Sequence, residues 1–256
     1  MAPLATALDA PQPAANADFD AYIQKVEMRL SRQHQSQAGF LAGLSADGQT
    51  ADRLRGGEPI VENLSDGSDL SSHGAMLYHW RGTAFVAGAH VTDFERLMKD
   101  FDSYPQHFSP QVLQARLLAE QNDQGTDRIT ASMRVRQKHV LTVVMDMTYD
   151  VAFARLDAQH GYSLSRSARV AEIDSAGTSK ERALSDAEEH GFLWRLNTYW
   201  SYEEANGGLY MQIETVSLTR SIPAGLGWAI KPFVESVPRE SLEFTLRSAC
   251  NALRKQ

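Results

Sequence analysis

The chain of 256 residues has one cysteine, Cys250, so no internal disulfide forms and cysteine usage leaves the redox compartment open. No stretch reaches the roughly 20 apolar residues that a membrane-spanning helix needs. Basic runs are missing too. The formal charge is −7, whereas binding a nucleic acid calls for a concentrated Lys/Arg face, so no nucleic-acid partner is expected. The opening "MAPLATALDAPQPAANA" lacks the basic and apolar regions of a signal peptide. It reads as a disordered tail over residues 1–17 or as what processing leaves, and cytoplasmic and exported locations both stay open.

Catalytic signatures are equally scarce. There is no GxxxxGK[ST], HExxH or GxSxG, and "GLGW" lacks the third glycine of a dinucleotide fingerprint, so no cofactor is expected. Eight histidines are dispersed, with His73 and His79 the nearest pair; none has tight ligand spacing, and no metal site is expected. "DFD" at 100–102 reads as helix caps and solvated charge. Cys250 sits on an apolar helix face, which points to a buried, inert thiol.

What is present is a core: 43% of the residues are hydrophobic. Phe19, Tyr22, Ile23, Val26 and Leu30 recur at helical spacing from an Asp18 cap, giving one amphipathic helix that ends near Arg32 and packs on the domain or on a second subunit. Residues 43–74 read as a connection or strap with a short strand, "PIVENL". A strand "MLYHWRGTAFVAG" follows. Two short helices come next, with Val91, Phe94, Leu97 and Met98 as the first stripe and Pro105 as the break. Strand-like runs at 111–121, 128–137, 140–155, 162–173, 190–204 and 208–221, joined by tight turns, imply an antiparallel meander. A long helix closes the chain from Ser236, with Leu242, Leu246, Ala249, Cys250 and Leu253 on one face.

Alternation assigns the faces. Val143, Met145, Met147, Tyr149, Val151 and Phe153 share one parity; Phe192, Trp194, Leu196, Trp200 and Tyr202 do so on a later strand, opposite a wet face of Arg195, Asn197, Ser201 and Glu203. On the last strand Leu209, Met211 and Ile213 point inward, and a bulge near Thr215 would bring Val216 and Leu218 to the same side. Parity from Tyr162, Leu164, Ala168 and Val170 also places Arg166 inside, unless a local twist returns it to solvent. Inside, it needs a carboxylate, water or an anionic ligand group. Asp146 and Glu214 fall on outer, solvent-facing positions. The aromatic and methionine stripe reads either as plain core or as a ligand wall, since thioethers adapt to varied apolar shapes.

The element order, with "HVTDFERLMKDFDSYPQHFSPQV" after the first strand and "SIPAGLGWAIKPFVESVPRESLEFTLRSACNAL" at the end, resembles the START-like superfamily of helix-grip proteins, of the polyketide cyclase and lipid-transfer type, and is similar to uncharacterised bacterial members. The resemblance covers residues 74–254. It implies an α+β fold in which a curved antiparallel sheet of about seven strands grips the long C-terminal helix around a cavity, residues 18–73 forming an extra helix and strap before a domain at 74–256. The superfamily includes carriers, receptors and enzymes, so it implies no single activity.

With a cavity, the expected partner is a lipid-like or polycyclic hydrophobic small molecule. The candidate lining is Met133, Met145, Met147, Tyr149, Arg166, Trp194, Thr198, Trp200, Tyr202, Met211, Trp228 and Phe233. The alternatives are a cyclase, dehydratase or hydrolase working through Arg166 and Tyr149, and a non-catalytic interaction module. The polar loop 174–189 reads as a mobile flap. Leu226, Trp228, Ile230 and Phe233 sit in a loop between Pro223 and Pro232, expected to cover the cavity mouth, with a core plug and a transiently membrane-touching lip as the other readings.

Overall fold

The computed structural model describes residues 10–36, 39–44, 48–65, 73–123, 125–138, 142–221 and 227–255, with side chains of the last segment from 236 onward. Helix α1 spans Pro13–His34, earlier than the Asp18 cap predicted, because Pro13 supplies a ready-made first helical residue. Helix α2 (Gly48–Arg55) and strand β1 (Ile60–Asn63) follow, then β2 (Ala75–Ala87). Helix α3 (Val91–Lys99) is capped reciprocally, the His90 backbone N–H donating to Asp93 Oδ2 at 3.1 Å. A 3-10 turn (Phe101–Ser103) and α4 (Tyr104–His107) make the second helical piece.

The meander comprises β3 (Val112–Asp123), β4 (Thr126–Lys138), β5 (Thr142–Arg155), β6 (His160–Asp174), a two-residue β7 (Arg182–Ala183), β8 (Arg195–Ala205) and β9 (Gly208–Arg220). All pairs are antiparallel, in the order β1-β2-β9-β8-β6-β5-β4-β3, with β7 pairing the end of β6. The "EANGG" turn places Asn206 at φ 55 and Gly207 at φ 75, the two positive values that a tight two-residue hairpin turn requires.

Helix α5 (Gly227–Leu253) begins nine residues before the predicted Ser236 start, so the loop read between Pro223 and Pro232 is helical from Gly227. A proline forfeits one backbone donor but keeps a helical φ, and Pro232 and Pro238 are both carried inside this helix. The helix crosses the concave face at β2. There a Cβ added to Gly82 would lie 2.5 Å from Leu242 Cδ2 and 3.1 Å from Leu246 Cδ2, so glycine permits the close approach. Among the described residues no helix is long and apolar enough to cross a membrane.

The convex face is where the sequence reading needs correction. Helix α1 lies on it, burying Phe19, Ile23, Val26 and Leu30 against Leu77, Tyr199, Val216 and Leu218. Phe40, Leu41 and Leu54 extend this layer over Phe85 and Tyr210. The face expected to be wet is thus dry, and Asn197, Ser201 and Glu214 are buried in it. No bulge is needed near Thr215: β9 pairs β2 in unbroken register from Gly208 to Arg220, with Met211 and Ile213 on the α5 side and Val216 and Leu218 under α1. A strand covered on both faces loses its alternation.

Buried polar groups in this layer are paired. Glu214 is 1% exposed; its carboxylate accepts from His79 Nε2 at 3.0 Å and from both terminal nitrogens of Arg29, while Tyr22 Oη lies 2.9 Å from His79 Nδ1. Burial raises the Glu214 carboxyl, but the His79 hydrogen bond and the Arg29 charge outweigh it and hold it below the usual carboxylate range. Beside it His34, 2.8 Å from Ser201 Oγ, is pushed down to about 4, chiefly by burial, and stays neutral.

Candidate functional site: a cavity between the concave sheet and three helices

Between the concave face and α3, α4 and α5 lies a cavity of about 420 Å³. One wall is hydrocarbon and thioether: Met133 and Val135 from β4, and Val143, Met145, Met147, Val151 and Phe153 from β5. The helical side adds Met98, Phe101, Tyr104 and Phe108, with Val237, Leu242 and Phe244 from α5. The opposite wall, on β6, β8 and β9, presents Ser163, Ser165, Thr198, Thr215 and Ser217 among Leu196, Trp200 and Ile213. Phe192 belongs to the lining yet is 42% exposed, so the cavity reaches the surface beside the β6–β8 connection.

That connection, read from sequence as a mobile flap, is pinned. Glu172, buried at the end of β6, accepts from the backbone N–H of His190 at 3.0 Å and of Phe192 at 3.1 Å, and Glu181 pairs with Arg134 at 2.6 Å. Gln137 Nε2 donates to Ser241 Oγ at 3.0 Å, tying β4 to α5 along the cavity rim.

Of the residues singled out in the sequence, Met133, Met145, Met147, Tyr149, Thr198 and Trp200 are brought together around this space. Tyr202 and Met211 are fully buried on the same face but belong to the packed core beyond the lining; Tyr202 packs against Phe94 with the rings tilted by 48° and donates to Glu95 Oε1 at 2.9 Å. Trp194 precedes β8 and packs into the convex layer under α1, so Leu193 takes the lining position. Trp228 and Phe233 lie outside the residues whose side chains are described.

Arg166 also lies on the other face. The β5–β6 register slips between Thr148 and Tyr149, with Ala168 unpaired opposite. The bulge flips parity, so Val170 and Ser165 both face inward while Tyr162, Leu164 and Arg166 do not. The guanidinium instead grips Glu27 of α1 at 2.7 and 2.8 Å and is 50% exposed. An exposed pair of this kind is worth about 1 kcal/mol or less. Arg166→Ala is therefore expected to shift the urea midpoint only slightly and to leave uptake of an apolar probe unchanged; a loss of uptake would return Arg166 to the site.

Among the described residues no Asp, Glu, Lys, Arg, His or Cys lines the cavity. Its titratable groups are tyrosines, and burial raises the phenols of Tyr104 and Tyr149, which stay protonated; Tyr149 Oη meets Met147 Sδ at 2.9 Å. Cys250, pushed up to about 11 by burial, is an uncharged thiol in the core outside the lining. Among the described residues, no side chain of the lining is poised near neutrality to take and return a proton. No group of three or more metal-ligating side chains occurs among the described residues. Of the hydroxyl wall the sequence reading had named Thr198 alone; Ser163, Ser165, Thr215 and Ser217 were missed, although "SLSRS" and "TVSLT" carry the period-two spacing of small polar residues.

No family model and no curated relative matches the chain. Among solved structures it is similar to a START superfamily protein from Mycobacterium smegmatis, at 14% identity over 69% of this chain and 97% of that one, with a TM-score of 0.43. It is similar to a STAR-related lipid transfer protein from Xanthomonas axonopodis, at 16% identity over 76% and 98%, with a TM-score of 0.44. It is also similar to the Zhui aromatase/cyclase from Streptomyces sp. R1128, at 12% identity over 70% and 95%, with a TM-score of 0.45. The fold is a helix grip, an α+β arrangement of a curved antiparallel sheet and a long C-terminal helix. What carries that statement is the element order and the helix laid across a curved antiparallel sheet; no residue role is transferred from these neighbours.

Proposed function

We propose that this START-like helix grip binds a lipid-like or polycyclic hydrophobic small molecule in its cavity and holds it for carriage or presentation. The observation that supports the reading is the roughly 420 Å³ space with a mostly apolar lining and no charged side chain among the described residues. Drug-sized ligands fill sites of ~300–1,000 Å³ with this mix of apolar walls and a few polar points. The cyclase reading leaned on Arg166 and Tyr149 together, and with Arg166 paired to Glu27 on the convex face it has lost its cation.

The test is uptake of the neutral fluorophore N-phenyl-1-naphthylamine. The wild type is expected to bind it saturably with a blue shift. The double variant Ser165→Leu/Thr198→Phe, which fills the cavity from one wall, is expected to bind at least about tenfold more weakly while keeping its circular dichroism. Equal binding by the folded double variant places the fluorophore elsewhere and contradicts the proposal.

A further inference from the structure

The polar groups of the cavity form a pattern. Ser165 on β6 is the register partner of Thr198 on β8, and Thr198 is the partner of Thr215 on β9. Three hydroxyl-bearing residues therefore stand side by side across adjacent strands, all lining the cavity. Neighbouring strands lie about 4.8 Å apart, so the row spans about 10 Å. Ser217, two residues along β9 from Thr215, extends it at a right angle. Among the described residues, none of these four hydroxyls has a hydrogen-bond partner.

A hydroxyl both donates and accepts, so this wall matches hydroxyl and carbonyl oxygens alike. A ligand of pure hydrocarbon would strip the row of water and leave it unpaired. A carboxylate, phosphate or ammonium group would meet the opposite problem. Among the described residues the cavity offers no counter-charge: Arg239, next to Pro238 of the lining, is 56% exposed and pairs with Glu243 at 2.9 Å, and Arg247 and Arg254 line a separate depression with Gly57 and Pro59. Burying an unpaired ion is far more costly than burying a paired neutral oxygen. The wall formed by β4 and β5 faces this row with thioethers and aliphatic groups, so the two sides of the ligand are treated differently.

Building on the binding role proposed above, we infer that the ligand is uncharged and carries two or more hydroxyl or carbonyl oxygens along one edge, seated on the Ser165–Thr198–Thr215 row with its hydrocarbon edge on β5.

Displacement of N-phenyl-1-naphthylamine at pH 8 by matched twelve-carbon competitors tests this. Dodecane-1,5-diol, whose oxygens are spaced to meet neighbouring strands, is expected to compete at least about tenfold better than dodecanoate or dodecylammonium, both ionised at that pH. The triple variant Ser165→Ala/Thr198→Val/Thr215→Val keeps the shape of the wall. Its diol affinity, measured relative to its own fluorophore affinity, is expected to fall about tenfold or more against the same ratio in the wild type. Dodecanoate or dodecylammonium competing as well as the diol overturns the inference and leaves the binding role standing. An undiminished ratio in the triple variant does the same. Failure of the wild type to take up the fluorophore at all overturns both.

Discussion

Glu214→Gln lowers the free energy of unfolding by about 3 kcal/mol, read as a reduced urea midpoint at unchanged slope. Glutamine keeps the shape of the side chain but removes the negative charge that faces Arg29, His79 and, at 3.8 Å, Arg81, which also pairs with Glu62 at 2.9 Å. Breaking a buried pair from one side typically costs roughly 3–5 kcal/mol, because the partner charge is left behind. The lower figure applies because Arg29 is 40% exposed and can turn toward water. The effect depends on pH with a definite sign. The folded carboxyl lies below its ordinary value of 4.5, so its contribution is complete above that value and is lost as pH falls through the lower folded one. The difference between wild type and variant should be full at pH 7 and narrow as pH drops below 4.5. A midpoint at pH 7 unchanged by Glu214→Gln would show that the cluster under α1 is not a structural charge centre.

Phe19→Ala should be as severe, at about 3 kcal/mol or more. Phe19 has no exposed surface, packs in the layer with Val216 and Leu218, and has the Arg195 guanidinium 4.4 Å above its ring. Large-to-small changes at such positions lose both transfer energy and the contacts around the void. The cavity lies on the other side of the sheet, so fluorophore affinity in the folded fraction is expected to stay the same. An unchanged midpoint would mean that α1 does not dock on the convex face in solution, and that its apolar stripe serves another surface.

These two residues also mark where the sequence was hard to read. Strand β5 was legible because one face is capped by the cavity and the other carries Asp146, Thr148 and Asp150, so its alternation is clean. The stripe of α1 was legible for the same reason, as five large apolar residues at helical spacing have to be covered. Its destination was not. A helix lying on the convex face makes both sides of β8 and β9 apolar, and period two no longer tells inside from outside; Tyr199, Val216 and Leu218 gave no sign of which layer they join. The error at Arg166 has a different origin. A single unpaired residue, Ala168, inverts the parity of β6, and nothing in "SRSARVAE" announces a bulge. Trp194 was misplaced by extending strand alternation to a residue that precedes the strand. At the C-terminus Pro223 and Pro232 were read as bracketing a loop before a helix from Ser236, although Pro232 sits within α5.

Of the cavity lining, Met133, Met145, Met147 and Thr198 were legible as inward positions, whereas Ser163, Ser165, Thr215 and Ser217 were not. Methionines at alternating positions stand out in composition, whereas serine and threonine on a strand look like a solvent face until the sheet is seen to curve around them.

The central claim is that an apolar ligand enters the space between β5, β9 and α5. The most direct test is a titration of protein carrying ¹³C-labelled methionine methyl groups with N-phenyl-1-naphthylamine, whose aromatic rings shift any methyl they approach. Met98, Met133, Met145 and Met147 line the cavity, Met211 is buried in the core beyond it, and Met28 is 53% exposed on α1. The account expects saturable shifts at the four lining methyls, with Met211 and Met28 still. Shifts confined to Met28, or none at saturating fluorophore, would contradict it.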